Sequence, residues 1–305
     1  MSRIHRVVEK AEREGRLART RRFDDLAVAP AAEPALVRPE TALPPPHPEP
    51  AGPSIAGPEA PPPAPDDGRI AEPLPAATAD CTPHPLLVVA AAPQSAVAEQ
   101  YRLLRTRLAG RDNGRTLQVL VITSPLVGDG KTITSANLAL AIAQEYQRRV
   151  VLVEADLRRP CLASLFGLGD SPGLADVLAG TAALDEALVS LPQHHLTVLP
   201  GGTPPARSAE LLGSSAMRRV ADTLRARFDR VIVDSPPAVL ADTHVLAGFG
   251  DGILMVVRAG VTPRPALERA LGVLPDGRVI GLVLNDVDDG AGAYGYGAPY
   301  AARGD

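Results

Sequence analysis

Residues 117–144 read LQVLVITSPLVGDGKTITSANLALAIAQ. The stretch opens with an unbroken aliphatic run, passes through a loop containing Gly128 and Gly130, and continues as a helix-length segment with Ala and Leu at recurring positions. That order predicts a buried strand, a tight turn and a helix that packs back on the sheet. Lys131 and Thr132 stand where the helix would begin. Backbone N–H groups and the helix dipole at such a point attract phosphate, a lysine there reaches the terminal phosphate oxygens, and the threonine hydroxyl ligates Mg²⁺. Glycines at 128 and 130 let the backbone close around the anion. The full pattern of such loops carries glycine where this chain has Pro125.

Beyond this unit, apolar runs recur as VVLVEAD, LTVLPGG, RVIVDSP, GILMVVRA and VIGLVLND, separated by segments rich in Ala, Leu and Arg. The alternation predicts an α/β fold of the P-loop NTPase kind, a mostly parallel sheet covered by helices on both faces. Ligands of such sheets lie beyond the carboxyl ends of the strands. Two further motifs fall there: Glu154-Ala155-Asp156-Leu157-Arg158-Arg159-Pro160 and Asp234-Ser235-Pro236-Pro237. A magnesium–nucleotide site needs carboxylates at such positions to hold the ion and its waters. Either carboxylate alone reads equally as a helix cap or a solvated strand end; all three motifs together favour the site.

The flanks have a different character. More than half of the chain's 32 prolines fall between Pro30 and Pro85, where few bulky side chains are available to offset the entropy of ordering the backbone. Residues 26–85 are therefore expected to be a disordered linker. Ahead of it, Ile4, Val7, Val8 and Ala11 repeat at helical spacing among Arg3, Arg6, Lys10, Arg13 and Arg16, so residues 1–25 read as an amphipathic basic helix. Such a helix serves as a docking segment or is simply a solvated charged face. Residues 86–288 form the expected catalytic domain and 289–305 a Gly/Tyr-rich flexible tail.

A net charge of −4 and an aromatic content of 3% leave no electrostatic or stacking case for nucleic acid. Cys81 and Cys161 have neither metal-ligand nor disulfide-framework spacing. No segment has the roughly 18 apolar residues of a membrane span, and the opening MSRIHRVVEK lacks the apolar core of a signal peptide. A cytoplasmic location is expected.

Taken in order, the phosphate loop, the strand VLV with Glu154, Asp156 and Arg158, and the strand VIV with Asp234, Pro236 and Pro237 resemble the bacterial tyrosine kinases of exopolysaccharide synthesis. The resemblance covers roughly residues 86–300. It implies a modified P-loop in which Gly128, Asp129, Gly130, Lys131, Thr132 and Ile133 bind ATP; Asn285 resembles the adenine-contacting residue of related P-loop ATPases, and a strand-end asparagine reads equally as a turn former. It also implies Mg²⁺ held by Thr132, Asp156 and Asp234, directly or through water. The family's second motif is D-x-D-x-R, whose first aspartate is the candidate acceptor of the tyrosine proton; this chain has Glu154 there, which makes Lys131, Glu154, Asp156 and Asp234 the expected catalytic set.

Two more features fit. The helix segment AEQYRLLRTRL supplies Glu99, Arg102 and Arg105, which resemble the family's E-x-x-R-x-x-R ring-forming motif; the same i, i+3, i+6 spacing also describes an internally paired solvated face. The tail carries Tyr294, Tyr296 and Tyr300, the family's autophosphorylated cluster, and these are three of only five tyrosines in the chain. The resemblance further implies a homo-oligomeric ring, recruitment to the inner face of the plasma membrane by a chain-length-determinant activator protein, and a cognate tyrosine phosphatase.

Two other functions share these motifs. A P-loop ATPase switch of the partitioning and division-site class would carry a second lysine where this chain has Leu126. A nucleotide-binding scaffold that transfers no phosphate would accommodate Pro125 and Glu154.

Overall fold

The computed structural model describes residues 77–78, 83–109, 117–145 and 148–287. The expected N-terminal helix, nearly all of the proline-rich linker and the tail with Tyr294, Tyr296 and Tyr300 lie outside the described residues.

Eight strands make one sheet: β1 (Ala77–Thr78), β2 (Val119–Thr123), β3 (Val150–Glu154), β4 (Val189–Leu191), β5 (Leu196–Leu199), β6 (Arg230–Asp234), β7 (Gly252–Arg258) and β8 (Val279–Asn285). Their order across the sheet is β1-β4-β5-β3-β6-β2-β7-β8, and every pairing is parallel except β4 with β5. The six strands expected from the sequence are all present. The antiparallel β4 follows from the short turn Pro192–His194, which folds the chain straight back along its neighbour. β1 falls inside the stretch read as linker. It adds to the sheet through backbone pairing with Val189 and Ser190, an interaction that needs no bulky side chain and so leaves no hydrophobic signature.

Alternation along each strand divides the core in two. Val119, Val121, Val151, Val153, Val231 and Val233 face one layer, built on the helices Leu174–Ala179, Ser215–Arg227 and Ala241–Phe249. Leu120, Ile122, Leu152 and Ile232 face the other, built on the helices Ala96–Ala109 and Lys131–Ala143. Being covered on both sides is what makes β2, β3 and β6 continuously apolar and buried. The Lys131–Ala143 helix is buried almost throughout because it lies between the sheet and the Ala96–Ala109 helix.

β2 has β6 on one side and β7 on the other, while the chain leaving β2 crosses to β3 beyond β6. The carboxyl ends of β2, β6 and β3 thus lie side by side, with Ile122 in register with Asp234 and Glu154 in register with Asp234. Among the described residues no helix is long and apolar enough to cross a membrane.

Candidate active site

The phosphate loop runs from the end of β2 to Gly130. Its conformation depends on glycine: Gly128 has φ +88° and Gly130 φ +92°, a region open to glycine and costly for other residues. Asp129 shapes the loop from within, as its Oδ2 accepts the Leu126 N–H at 2.8 Å. Its Oδ1 accepts the Thr262 hydroxyl at 2.7 Å, which ties the loop to the turn after β7. The Asn285 amide donates to the Asp129 carbonyl at 3.0 Å from the end of β8. Asn285, expected near adenine, thus rests on the phosphate loop itself.

At the helix start, the Thr134 N–H reaches the Gly130 carbonyl at 2.9 Å. The N–H groups of the helix before it have no turn of carbonyls behind them and point to the mouth of the loop, the geometry that accepts an anion. The segment after β6 braces the loop from the sheet side: the Ser235 N–H bonds the Ile122 carbonyl at 3.0 Å and the Ala238 N–H the Ser124 carbonyl at 2.8 Å.

Three of the expected catalytic residues converge here. Lys131 Nζ lies 2.7 Å from Asp156 Oδ2 and 3.2 Å from the Thr132 hydroxyl. The Thr132 hydroxyl donates to Asp234 Oδ2 at 2.7 Å, and Ser135 donates to Asp234 Oδ1 at 3.1 Å. Burial by itself lowers the affinity of Lys131 for its proton, but Asp234 and Asp156 outweigh that and hold the ammonium charged. The fully buried Asp234 carboxyl is pushed up by desolvation against the pull of Lys131, Thr132 and Ser135. Ser135 carries a signal that could have been read from the sequence, since it stands one helical turn beyond Thr132 and shares its face. Thr262 carries none, being brought in from more than a hundred residues away.

These groups fit a magnesium–nucleotide. Two carboxylates and a hydroxyl surround an ammonium beside a ring of amide donors. Among the described residues no cluster of three or more His, Cys, Asp or Glu forms a closed metal cage. Mg²⁺ favours that arrangement, because it keeps several waters and takes phosphate oxygens in place of protein ligands.

Glu154 behaves differently from the other three. It is fully buried, and its Oε1 accepts the N–H groups of Cys161 and Leu162, the latter at 2.8 Å. Its Oε2 accepts the Gly201 N–H at 2.8 Å. Desolvation raises its carboxyl, with the three N–H bonds opposing. Arg158, from the same motif, pairs with the buried Asp242: Nη2 to Oδ1 at 2.9 Å and Nε to Oδ2 at 3.2 Å. Ser208 adds a bond to Asp242 Oδ2 at 2.6 Å. Cys161 sits beside Thr132 and Lys131, and burial followed by Glu154 and Asp234 pushes its thiol up to about 11.

The expected ring motif is paired within the chain. Arg102 bonds Glu99 at 3.0 Å and the Pro93 carbonyl at 2.7 Å. Arg105 donates to the Ala141 carbonyl at 2.7 Å and pairs with Glu145 at 3.3 Å, so it caps the C-terminal end of the Lys131–Ala143 helix. The internally paired arrangement thus holds for Glu99 with Arg102, and Arg105 turns inward.

No family model matches the chain. The tyrosine-protein kinase YwqD of Bacillus subtilis is 35% identical over 196 residues, covering 63% of this chain and 82% of its own length. The putative tyrosine-protein kinase EpsB of Ralstonia nicotianae is 36% identical over 219 residues, 68% of this chain but only 28% of that longer protein. Among solved structures, the kinase domain of the Escherichia coli tyrosine kinase ETK superposes with a TM-score of 0.63 at 29% identity, over 72% of this chain and 87% of that one. With the phosphate loop and its two carboxylate motifs in place on a parallel sheet, this chain belongs to the bacterial tyrosine-protein kinases.

Proposed function

We propose that the chain is an ATP-dependent tyrosine autokinase whose substrate is its own C-terminal cluster, Tyr294, Tyr296 and Tyr300, and which regulates exopolysaccharide polymerisation or export. The observation that carries the reading is the convergence of Lys131, Thr132, Asp156 and Asp234 at the mouth of a glycine-shaped loop. Mg²⁺, when bound, would supply charge neutralisation to the phosphates. The backbone from Gly128 to Ile133 cradles the phosphates. Lys131, held charged beside Asp156, would offer its ammonium to the terminal phosphate, and Thr132, Asp156 and Asp234 would hold the ion and its waters.

Phosphoryl transfer requires mainly positioning and charge stabilisation, and this set provides both. Asn285 borders the loop where a base would lie. The tail, residues 289–305, carries the three tyrosines offered as substrate. A homo-oligomer in which Glu99, Arg102 and Arg105 contribute to the contact, a membrane activator protein that recruits the kinase, and a phosphatase that resets the tail complete the reading.

The test is mass spectrometry of the tail after co-expression with a candidate membrane activator, comparing the wild type with Lys131→Met. Phosphate on Tyr294, Tyr296 or Tyr300 that disappears in the variant is the expected result. An unmodified tail in a protein that binds ATP would sink the proposal.

A further inference from the structure

Glu154 ends β3 at the position where the family pattern has the aspartate expected to take the tyrosine proton. A general base needs a carboxylate oxygen within hydrogen-bond reach of the hydroxyl it deprotonates. Both oxygens of Glu154 are already committed to backbone N–H groups, those of Cys161 and Leu162 on one side and Gly201 on the other, and the residue has no exposed surface.

The donors come from two separate stretches of chain. Cys161 and Leu162 close the loop that carries Asp156 and Arg158. Gly201 opens the loop after β5, which is itself fixed to the earlier helix Leu174–Ala179: the Leu174 N–H bonds the Pro200 carbonyl at 2.7 Å and the Ala175 N–H the Gly201 carbonyl at 3.0 Å. The two stretches meet over Glu154 at close quarters. A methyl group on Gly201 would stand 2.7 Å from Pro160 Cβ and 3.2 Å from Glu154 Oε2, so only glycine fits. An aspartate at 154 would fall short of these donors by about one C–C bond, ~1.5 Å.

We infer that Glu154 is a positioning residue of the kinase reaction and not its general base: its carboxylate clamps the Asp156–Cys161 loop to the Gly201 loop and thereby sets where Asp156 stands against Lys131. The inference rests on the tyrosine-kinase reading. The extra methylene of glutamate, which looks like a defect when the family motif is laid over the sequence, is what lets one carboxylate reach both loops.

The experiment compares the full-length wild type with Glu154→Gln and Glu154→Asp by pH-resolved kinetics of tail phosphorylation and by amide hydrogen exchange. For a clamp, Glu154→Gln lowers kcat by about 10-fold, within the reach of a small displacement. It leaves the acid limb of the kcat profile in place and speeds exchange in peptides covering Cys161, Leu162 and Gly201. A general base predicts instead a loss of ~10²- to 10⁴-fold, disappearance of the acid limb and unmoved exchange; that outcome overturns the inference. Should Glu154→Gln fail to fold, Glu154→Asp decides, because it keeps a carboxylate: faster exchange at both loops supports the clamp and wild-type exchange refutes it. Exchange is read without turnover, so a chain that moves no phosphate to tyrosine would refute the kinase reading while the exchange data still judge the clamp.

Discussion

The Thr132 hydroxyl donates to Asp234 Oδ2 at 2.7 Å, joining the first turn of the helix after the phosphate loop to the end of β6. This bond brings the hydroxyl proposed to ligate magnesium together with a buried carboxylate. Asp234→Asn keeps the shape and the Thr132 contact but removes the negative charge. Autophosphorylation is expected to fall on the order of 10²- to 10³-fold, the scale of losing one electrostatic stabiliser. Rates measured at saturating Mg²⁺ check this; a loss that excess Mg²⁺ fully restores would mean Asp234 acts only through affinity for the ion.

Gly130→Ala tests the conformation of the loop. The new Cβ would sit 1.9 Å from Asn285 Nδ2 at a φ of +92°. The left-handed backbone alone costs roughly 1–2 kcal/mol, and Asn285 must also move. Loss of nucleotide affinity with a lower Tm is expected. Gly130→Ala/Asn285→Ala should recover the share due to the collision and keep the share due to the backbone. Calorimetric titration with an ATP analogue, alongside thermal melts, separates the two. A double variant no better than the single would show that Asn285 is not the obstacle.

Asp242 gives a pH dependence with a definite sign. Burial pushes its carboxyl up, but Arg158 and Ser208 outweigh burial and leave it below its ordinary value in the fold. A depressed folded-state value means the contribution is complete above the unfolded pKa of about 3.9 and is lost as pH falls through the folded value. Arg158 is half exposed, so Asp242→Asn should cost only roughly 1–2 kcal/mol near neutrality. The gap in Tm between the two proteins should shrink below about pH 4. A gap that stays constant down to pH 3 would remove Asp242 from the acid response.

Cys161 should resist alkylation. With its thiol pushed up to about 11, it holds far less thiolate at pH 8 than a free cysteine of pKa about 8.5. Its reaction with iodoacetamide should be slower by about 10²-fold, read by peptide-resolved mass spectrometry. Labelling at the rate of a free cysteine would show that burial and the carboxylates beside it do not hold the thiol up as described.

The architecture was legible because the strands that lead into the phosphate site, β2, β3 and β6, are buried on both faces and therefore unbroken in the sequence. β2, β3 and β6 declare themselves, and residues at or beyond their carboxyl ends, Lys131, Thr132, Asp156 and Asp234, are the ones that meet. β1 and β4 were not legible. Both are short, and they join the sheet through backbone pairing that leaves little pattern in the side chains.

Local order along the chain thus determined the fold and the members of the phosphate site, because hydrophobic periodicity and loop glycines are properties of neighbouring residues. The tertiary structure decided what each charged group does. Arg105 could have faced solvent and instead caps the Lys131–Ala143 helix. Asn285, at the end of β8, donates its amide to the Asp129 carbonyl of the phosphate loop. Glu154 stood in a catalytic position of a motif and instead holds two loops by their amides. A hydrogen bond depends on a partner's position to within a few tenths of an ångström, and these partners lie 7 to 156 residues away along the chain; only the folded chain brings them together.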